Sequence, residues 1–379
     1  MFGAGASGLA AAALLEKTGW RAVVLEGAAV WPDDAGISLA VTSPGVPLSH
    51  PWHAAARRAG VPVESELQFA ARHWKGRTLA VTGSKGKSSV VKLVADSLAL
   101  SGRRAVACGN YGVPLSSVVL DTQDPAGVWA VVETSSFQME TTDAFHPEAA
   151  ACLNLQDDHL DRHGTRERYH ALKMKLLDLA GCRIGCDPAL DPLLAGSYFD
   201  NPVLRPNGEI AAGLLLFAGL SPGEIRRGFE AFVPLAHRMQ TVAVKDGVRY
   251  VDDSKATSLA ALAAGVEMAR ASAPGGGVLL IAGGRAKGDN PESVISCLSN
   301  GVKKVYLIGE CAEVFHSVWQ KAVPCEMCGT LEAAADAAAH EAVAGDTVLL
   351  SPGTASFDQF KSYGARGDAF AAHVKEKQR

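Results

Sequence analysis

The chain has 379 residues, 48% hydrophobic and 20% charged, with a formal net charge of −4. Enough apolar side chains are present for two or three separate cores, which excludes a disordered chain, and no basic excess selects nucleic acid or an anionic membrane as partner. The eight cysteines are scattered, with only Cys182/Cys186 and Cys325/Cys328 close together, as in a reducing cytoplasm rather than a secreted disulfide framework.

The apolar start Met1–Leu15 lacks a basic leader region and runs into Glu16 and Lys17. It is expected to be neither a signal peptide nor a span, and nothing else approaches the roughly 20 apolar residues that cross a bilayer. A cytoplasmic protein with no membrane partner is expected. Gly3-Ala4-Gly5-Ala6-Ser7-Gly8 opens an alanine-rich helix over 8–17, and Arg21–Leu25 reads as a buried strand ending at Glu26. This G-x-G-x-x-G arrangement belongs to dinucleotide-binding units, although only Met1 and Phe2 stand where the preceding strand should be. Thr42–Pro47 is turn-rich; a helix through 54–59 and a strand at Val61–Val63 follow. The pattern loosens over Phe69–Gly76, where a domain boundary is expected.

The strongest signal comes next. Thr82-Gly83-Ser84-Lys85-Gly86-Lys87-Ser88-Ser89 joins an apolar run, Leu79–Val81, to a helical pattern over 88–100. A strand that enters a helix through such a turn aims successive N–H groups at one point, where the helix dipole also favours an anion. Lys87 is expected on the terminal phosphates of ATP or GTP and the Ser88 hydroxyl on Mg²⁺.

Strands are predicted at Ala105–Cys108, before Gly109-Asn110-Tyr111-Gly112, and at Val128–Val132, before Glu133-Thr134-Ser135-Ser136-Phe137-Gln138. A carboxylate such as Glu133, at the end of a buried strand beside a phosphate loop, suits a phosphate-bridging metal. Another strand, Ala149–Leu153, leads into Asp157-Asp158-His159-Leu160-Asp161-Arg162-His163, whose acids and histidines suit metal binding or proton transfer. The helix over 166–179 carries Lys173, and a lysine there is ordinarily part of a solvated face. Cys182–Pro206 offers no clear element; an apolar helix is expected over 207–220, and Ser221-Pro222-Gly223-Glu224 is a capping box for a helix to Phe232. Beyond Pro234 the spacing predicts a hairpin, Gln240–Val244 and Arg249–Val251 around Asp246-Gly247. It then predicts a helix after Ser258 and buried strands at Val278–Ala282, Lys304–Ile308 and Thr347–Leu350.

Together these stretches resemble the Mur ligases. The resemblance lies in Ser43-Pro44-Gly45, the phosphate loop, Gly109–Gly112, Glu133–Glu140, Asp158–Arg162, His237-Arg238, Asp253-Ser254-Lys255-Ala256-Thr257 and Ser351–Phe360. It implies an α/β protein of three domains: a Rossmann-like substrate domain (1–75), a phosphate-loop ATPase-like central domain (76–235) and a Rossmann-like C-terminal domain (236–379). The last two motifs imply the branch that joins D-glutamate to UDP-N-acetylmuramoyl-L-alanine, as a monomer. The resemblance puts the sugar nucleotide near Gly5, Ser7, Ser43 and Pro44, with Asn110 and Ser135 also on substrate. ATP is placed on Gly83, Ser84, Lys85, Gly86, Lys87, Ser88, Ser89, Asn207, Arg238 and Asp253. Mg²⁺ is placed on Ser88, Glu133, His159 and a carbamylated Lys173, and D-glutamate on Lys255, Thr257, Lys287, Ser356 and Phe357. Lys87, Glu133, His159 and Lys173 are the implied catalytic set. Val203 and Leu204 stand where the family has His-Asn, and the middle domain is short, so another amide ligase and a catalytically impaired relative remain alternatives. A nicotinamide or flavin enzyme built on the first glycines leaves the phosphate loop unexplained.

Overall fold

Strands too apolar to leave either face in water build the two large sheets. The structure, a computed structural model, describes residues 1–27, 29–32, 36–156, 158–273 and 275–377. The chain divides into two units: Met1–Asp200 with Arg205–Phe232, and Asn201–Leu204 with Val233 onward.

The first unit opens with α1 (Ala6–Lys17), β1 (Ala40–Thr42), α2 (Pro51–Arg58), β2 (Val63–Ser65) and α3 (Glu66–His73). β1 and β2 pair in parallel. The strand expected at Arg21–Leu25 does not form: only Leu25 pairs, through a bridge to Phe2. Leu25 is the one buried residue of that stretch. The expected Val61–Val63 strand moves to β2, past Pro62, which has no N–H to give. Where the pattern loosens, α3 is a regular helix capped by the Ser65 hydroxyl. Its buried face includes Glu66 beside Leu67, Phe69 and Ala70, and that acid interrupts the apolar spacing a sequence reading depends on.

β3 (Arg77–Thr82), α4 (Lys87–Leu100), β4 (Ala105–Gly109), α5 (Leu115–Asp121), β5 (Trp129–Glu133), α6 (Ser136–Met139), β6 (Ala149–Cys152), α7 (Leu160–His163), α8 (Arg166–Leu179) and β7 (Cys182–Ile184) follow. Their five strands form one parallel sheet in the order β4-β5-β3-β6-β7. β3 thus lies between β5 and β6, so the loops after these strands share the sheet's C-terminal edge, where ligands collect in parallel sheets. The stretch from Cys182 on is more ordered than expected, with β7 on the sheet edge and a 3₁₀ turn over Pro188–Leu193. α9 (Arg205–Phe217) and α10 (Pro222–Ala231) close the unit, α10 with the expected capping box from Ser221 and Glu224.

The second unit contains β8 (Gln240–Lys245), β9 (Val248–Asp252), α11 (Leu259–Ala271), β10 (Val278–Gly283), α12 (Ile295–Gly301), β11 (Val302–Ile308), α13 (Ala312–Trp319), β12 (Cys325–Gly329), α14 (Leu331–Glu341), β13 (Thr347–Leu350) and α15 (Tyr363–Glu376). The sheet order is β12-β11-β10-β13-β9-β8, parallel except for the β8–β9 hairpin. That hairpin turns at Asp246 and Gly247 with φ of 51° and 76°, the left-handed pair a two-residue connection favours. One face of the sheet packs on Leu262, Leu298 and Trp319 from α11, α12 and α13; the other packs on Leu331 and Phe370 from α14 and α15. Among the described residues no helix is long and apolar enough to cross a membrane.

The α10–α4 crossing is tight: a Cβ on Gly228 would lie 2.2 Å from the Ser97 hydroxyl and 2.7 Å from its Cβ. Gly228→Ala is therefore expected to lower the unfolding free energy by about 1–3 kcal/mol in urea titrations. Gly223→Ala, whose added methyl meets only the tip of Arg227 at 3.9 Å, leaves the midpoint in place.

Candidate functional site

The phosphate loop follows β3 as expected. Gly83 and Gly86 have φ of 140° and 85°, and Gly86 heads α4 without any side-chain cap, so the first amides of the helix are left for a ligand. Neither glycine has room for a side chain: a Cβ on Gly83 would meet the Leu153 backbone at 3.1 Å, and one on Gly86 the Asn207 amide at 2.4 Å. Asn154 fastens the loop from the end of β6, its side chain accepting from Lys85 N–H (2.9 Å) and donating to Lys85 C=O (3.0 Å). The Ser84 hydroxyl donates to Gln156 C=O (2.9 Å) and accepts from the Tyr169 hydroxyl (3.0 Å).

Two lysines converge on one acceptor. Lys87 Nζ donates to Gly83 C=O at 2.8 Å and to Ser84 C=O at 3.0 Å, and Lys173 Nζ donates to the same Gly83 carbonyl at 2.8 Å. Lys173 is only 2% exposed, with its ammonium 4.5 Å from the Tyr169 ring centroid. It is therefore no solvated-face lysine. Burial, with the Lys87 charge second, pulls its pKa down to about 7.

Glu133 ends β5, 3% exposed. One carboxylate oxygen accepts from the Asn110 amide at 2.7 Å; the other, Oε2, is buried with no partner. A buried carboxylate oxygen left bare calls for a cation, so the group fits the Mg²⁺ role. Ser88 is buried and Ser89 half-buried on the first turn of α4. His159 stands apart. It adopts φ 53° on a turn with its side chain 48% exposed, its ring 4.7 Å from that of Phe137, and hydrogen-bonds to none of Ser88, Glu133 and Lys173. Among the described residues no three His, Cys, Asp or Glu side chains gather as a metal site, and Asp157 lies outside them.

The N-terminal candidates form a second cluster in this unit. Gly3 (φ 87°) packs against Ser43, and a Cβ on Gly8 would lie 1.9 Å from Gly3 C=O. Gly5 is open and Ser7 half-buried, and burial raises the pKa of Glu66, whose carboxylate accepts from Ser116 N–H at 2.7 Å. Pro44 C=O accepts from Arg162. Ser135 caps α6 in a reciprocal box with Gln138.

In the second unit, the loops after β9 and β13 lie side by side, Gly353 N–H donating to Ala256 C=O at 2.9 Å. Arg366, 1% exposed, stitches them: it donates to the Ser254 hydroxyl (2.9 Å) and carbonyl (3.0 Å) and to Thr354 C=O (3.1 Å). Sequence reading missed this residue, because nothing in Gly364-Ala365-Arg366-Gly367 marks an inward-pointing arginine. It also missed Tyr169, and Tyr363, whose ring carries the Lys255 ammonium 4.4 Å from its centroid. Asp253 is buried, accepting from the Ser351 hydroxyl (2.9 Å), with the Arg238 charge beside it; burial pushes its pKa up to about 7. Ser356 is buried and Thr257 half-buried, whereas Lys287 and Phe357 point outward, Phe357 64% exposed.

A phosphate-binding turn that enters a helix without a side-chain cap, a bare carboxylate one strand away and two lysines on one carbonyl define a nucleotide-binding enzyme of the phosphate-loop class. The sequence model of the Mur ligase middle domain matches residues 81–183, and that of the Mur ligase glutamate ligase domain matches 237–353. Proteins named UDP-N-acetylmuramoylalanine–D-glutamate ligase are 38% identical in Frankia casuarinae (97% of this chain, 86% of that one) and 33% identical in Acidobacterium capsulatum (97% and 94%). The chain belongs to the Mur ligase family. The second alignment runs over 439 positions, more than the chain has residues, so the chain lacks segments that relative carries. Among solved structures, the MurF ligase of Thermotoga maritima in complex with ADP shares the fold at TM-score 0.61 and 16% identity, over 90% of this chain and 95% of that one. The UDP-N-acetylmuramate-alanine ligase of the same organism does so at 0.61 and 14%, over 97% and 91%.

The Asp253 carboxyl titrates higher folded (about 7) than unfolded (3.8), so the folded chain holds a proton the unfolded chain has released, and stability falls as pH rises between those values. Asp253→Asn keeps the shape without the charge. It is expected to match the wild type near pH 4 and to exceed its unfolding free energy by roughly 2–4 kcal/mol above pH 7, measured by denaturant titration across pH.

Proposed function

We propose that the chain joins D-glutamate to the alanyl carboxylate of UDP-N-acetylmuramoyl-L-alanine with hydrolysis of ATP, in the cytoplasm, as a monomer, for peptidoglycan precursor synthesis. The observation that carries this reading is the likeness to ligases of that name over 97% of the chain, which takes in both the phosphate loop and the Asp253–Thr257 loop. The sequence is read as three domains, 1–75, 76–235 and 236–379.

A carboxylate resists attack by an amine because it is already anionic. Transfer of the γ-phosphoryl group of ATP to the alanyl carboxylate makes an acyl phosphate, which has a leaving group. The Gly83–Ser89 amides receive the phosphates, and Lys87, on its short tether to Gly83 C=O, turns to neutralise the moving phosphoryl charge. Mg²⁺, when bound, supplies further positive charge there, and Ser88, Glu133, His159 and Lys173 would hold it. The neutral amine of Lys173 suits carbamylation by CO₂, which converts a base into an acidic ligand. Asn207 lies against Gly86 and is assigned to adenine; Arg238 and Asp253 are assigned to ATP on the family resemblance alone. The sugar nucleotide is assigned to Gly5, Ser7, Ser43 and Pro44, with Asn110 and Ser135 toward its reacting end. D-glutamate is assigned to Lys255, Thr257, Lys287, Ser356 and Phe357. Its amine attacks the acyl carbon, the tetrahedral intermediate expels phosphate, and the amide remains.

Phosphate release by the purified protein tests this, with ATP, Mg²⁺, UDP-N-acetylmuramoyl-L-alanine and D-glutamate supplied together and each omitted in turn. Release is expected only with all components, and Lys87→Ala is expected to reduce it by about 10²-fold or more. Release without D-glutamate, or with another amino acid in preference, would overturn the substrate assignment.

A further inference from the structure

We propose that Arg162 is a positioning residue: it locks the Ser43–Val46 loop, on the sugar-nucleotide side, to the Ser135–Glu140 segment that follows β5. The inference rests on the function proposed above. Its guanidinium spends four of its N–H groups on two targets. Nε and Nη2 donate to the two oxygens of Glu140 at 3.2 and 2.6 Å, as a fork. Nη1 donates to Pro44 C=O at 2.9 Å and Nη2 to Val46 C=O at 3.3 Å. Its flat face lies over Phe137, 4.1 Å from the ring centroid.

Both partners of the ion pair are withdrawn from water, Arg162 14% and Glu140 4% exposed. A pair buried this way contributes little stability beyond what apolar side chains of the same volume would, whereas the planar fork fixes direction. What it fixes is the distance between two stretches far apart in the chain, Ser43–Val46 and Ser135–Glu140, which on that reading hold different parts of one substrate. Beside Glu140, the buried His163 ring reaches the Ser136 hydroxyl through Nε2 at 3.0 Å. The hydrogen-bonded chain thus runs from Pro44 through Arg162, three residues after His159, to Glu140, five residues after Ser135. A lysine carries the same charge but can neither fork onto Glu140 nor reach the two carbonyls at once.

Steady-state phosphate release by Arg162→Ala and Arg162→Lys reads the effect. Both variants are expected to raise KM for UDP-N-acetylmuramoyl-L-alanine by about tenfold or more while KM for ATP stays within about twofold, and guanidinium ion restores part of the loss in Arg162→Ala. An unchanged KM for the sugar nucleotide, or a parallel rise in both KM values, would overturn the proposal, the second because it marks a general loss of packing. If the wild type itself turns over no sugar nucleotide, the functional reading fails separately. The lock is then read from amide hydrogen exchange: faster exchange at residues 43–48 in Arg162→Ala, with β3 and α4 unchanged, supports it, and equal exchange refutes it.

Discussion

One carbonyl governs the nucleotide end of this protein. Gly83 C=O takes hydrogen bonds from both Lys87 and Lys173, and two ammonium groups sharing an acceptor repel at short range. Lys173, with little access to water, has its pKa drawn down to about 7 by burial first and the Lys87 charge second, which suits it to carbamylation while Lys87 is assigned to phosphate. That division of roles depends on Gly83 having no side chain, on Tyr169 covering Lys173 while holding Ser84, and on Asn154 fixing Lys85. The bare oxygen of Glu133 belongs to the same economy of charge: a carboxylate is kept dry beside the loop, answered on one side by Asn110 and left open on the other.

The second unit handles buried charge differently. Its buried acid and buried base each hydrogen-bond to neutral groups, with the Arg238 charge near the one and the Asp252 and Asp358 charges near the other. Asp253 leans on the Ser351 hydroxyl and becomes easier to protonate, while Arg366 spends its donors on carbonyls and on Ser254, and burial brings its pKa to about 10, still well above neutrality. A cation so deep is tolerated because it pins two loops that would otherwise move independently, and Asp252 and Asp358 temper its charge. Pinned loops suit recognition of a small polar substrate, because the ordering entropy is met in folding and not at binding.

Local chemistry was legible where the residues themselves impose it. Gly83 and Gly86 announced a turn without side chains, Asp246-Gly247 a two-residue hairpin, and Ser221 with Glu224 a capped helix, each because few residue types can do that work. Runs such as Val278–Ala282 announced buried strands. Placement by tertiary contact was not legible. Lys173 reads as a surface lysine until α8 is packed under the loop; Arg366 and Tyr363 sit in an unremarkable amphipathic stretch; and α3 hides behind its buried Glu66. Arg21–Leu25 failed in the opposite direction, apolar enough in sequence for a strand although only Leu25 is buried and bridged.

The stretch between β6 and α10 holds the helix that reaches the phosphate loop. Asn207, on the first turn of α9, presses its amide against Gly86 so closely that no Cβ could intervene. α9 is held in that place by apolar contacts, with Ile210, Ala211, Leu214 and Leu215 buried, and by Leu194 and Phe199 closing over Gly208. The segment therefore serves as a wedge. Its hydrophobic face sets the depth of the helix, and the depth of the helix sets one amide against the phosphate loop.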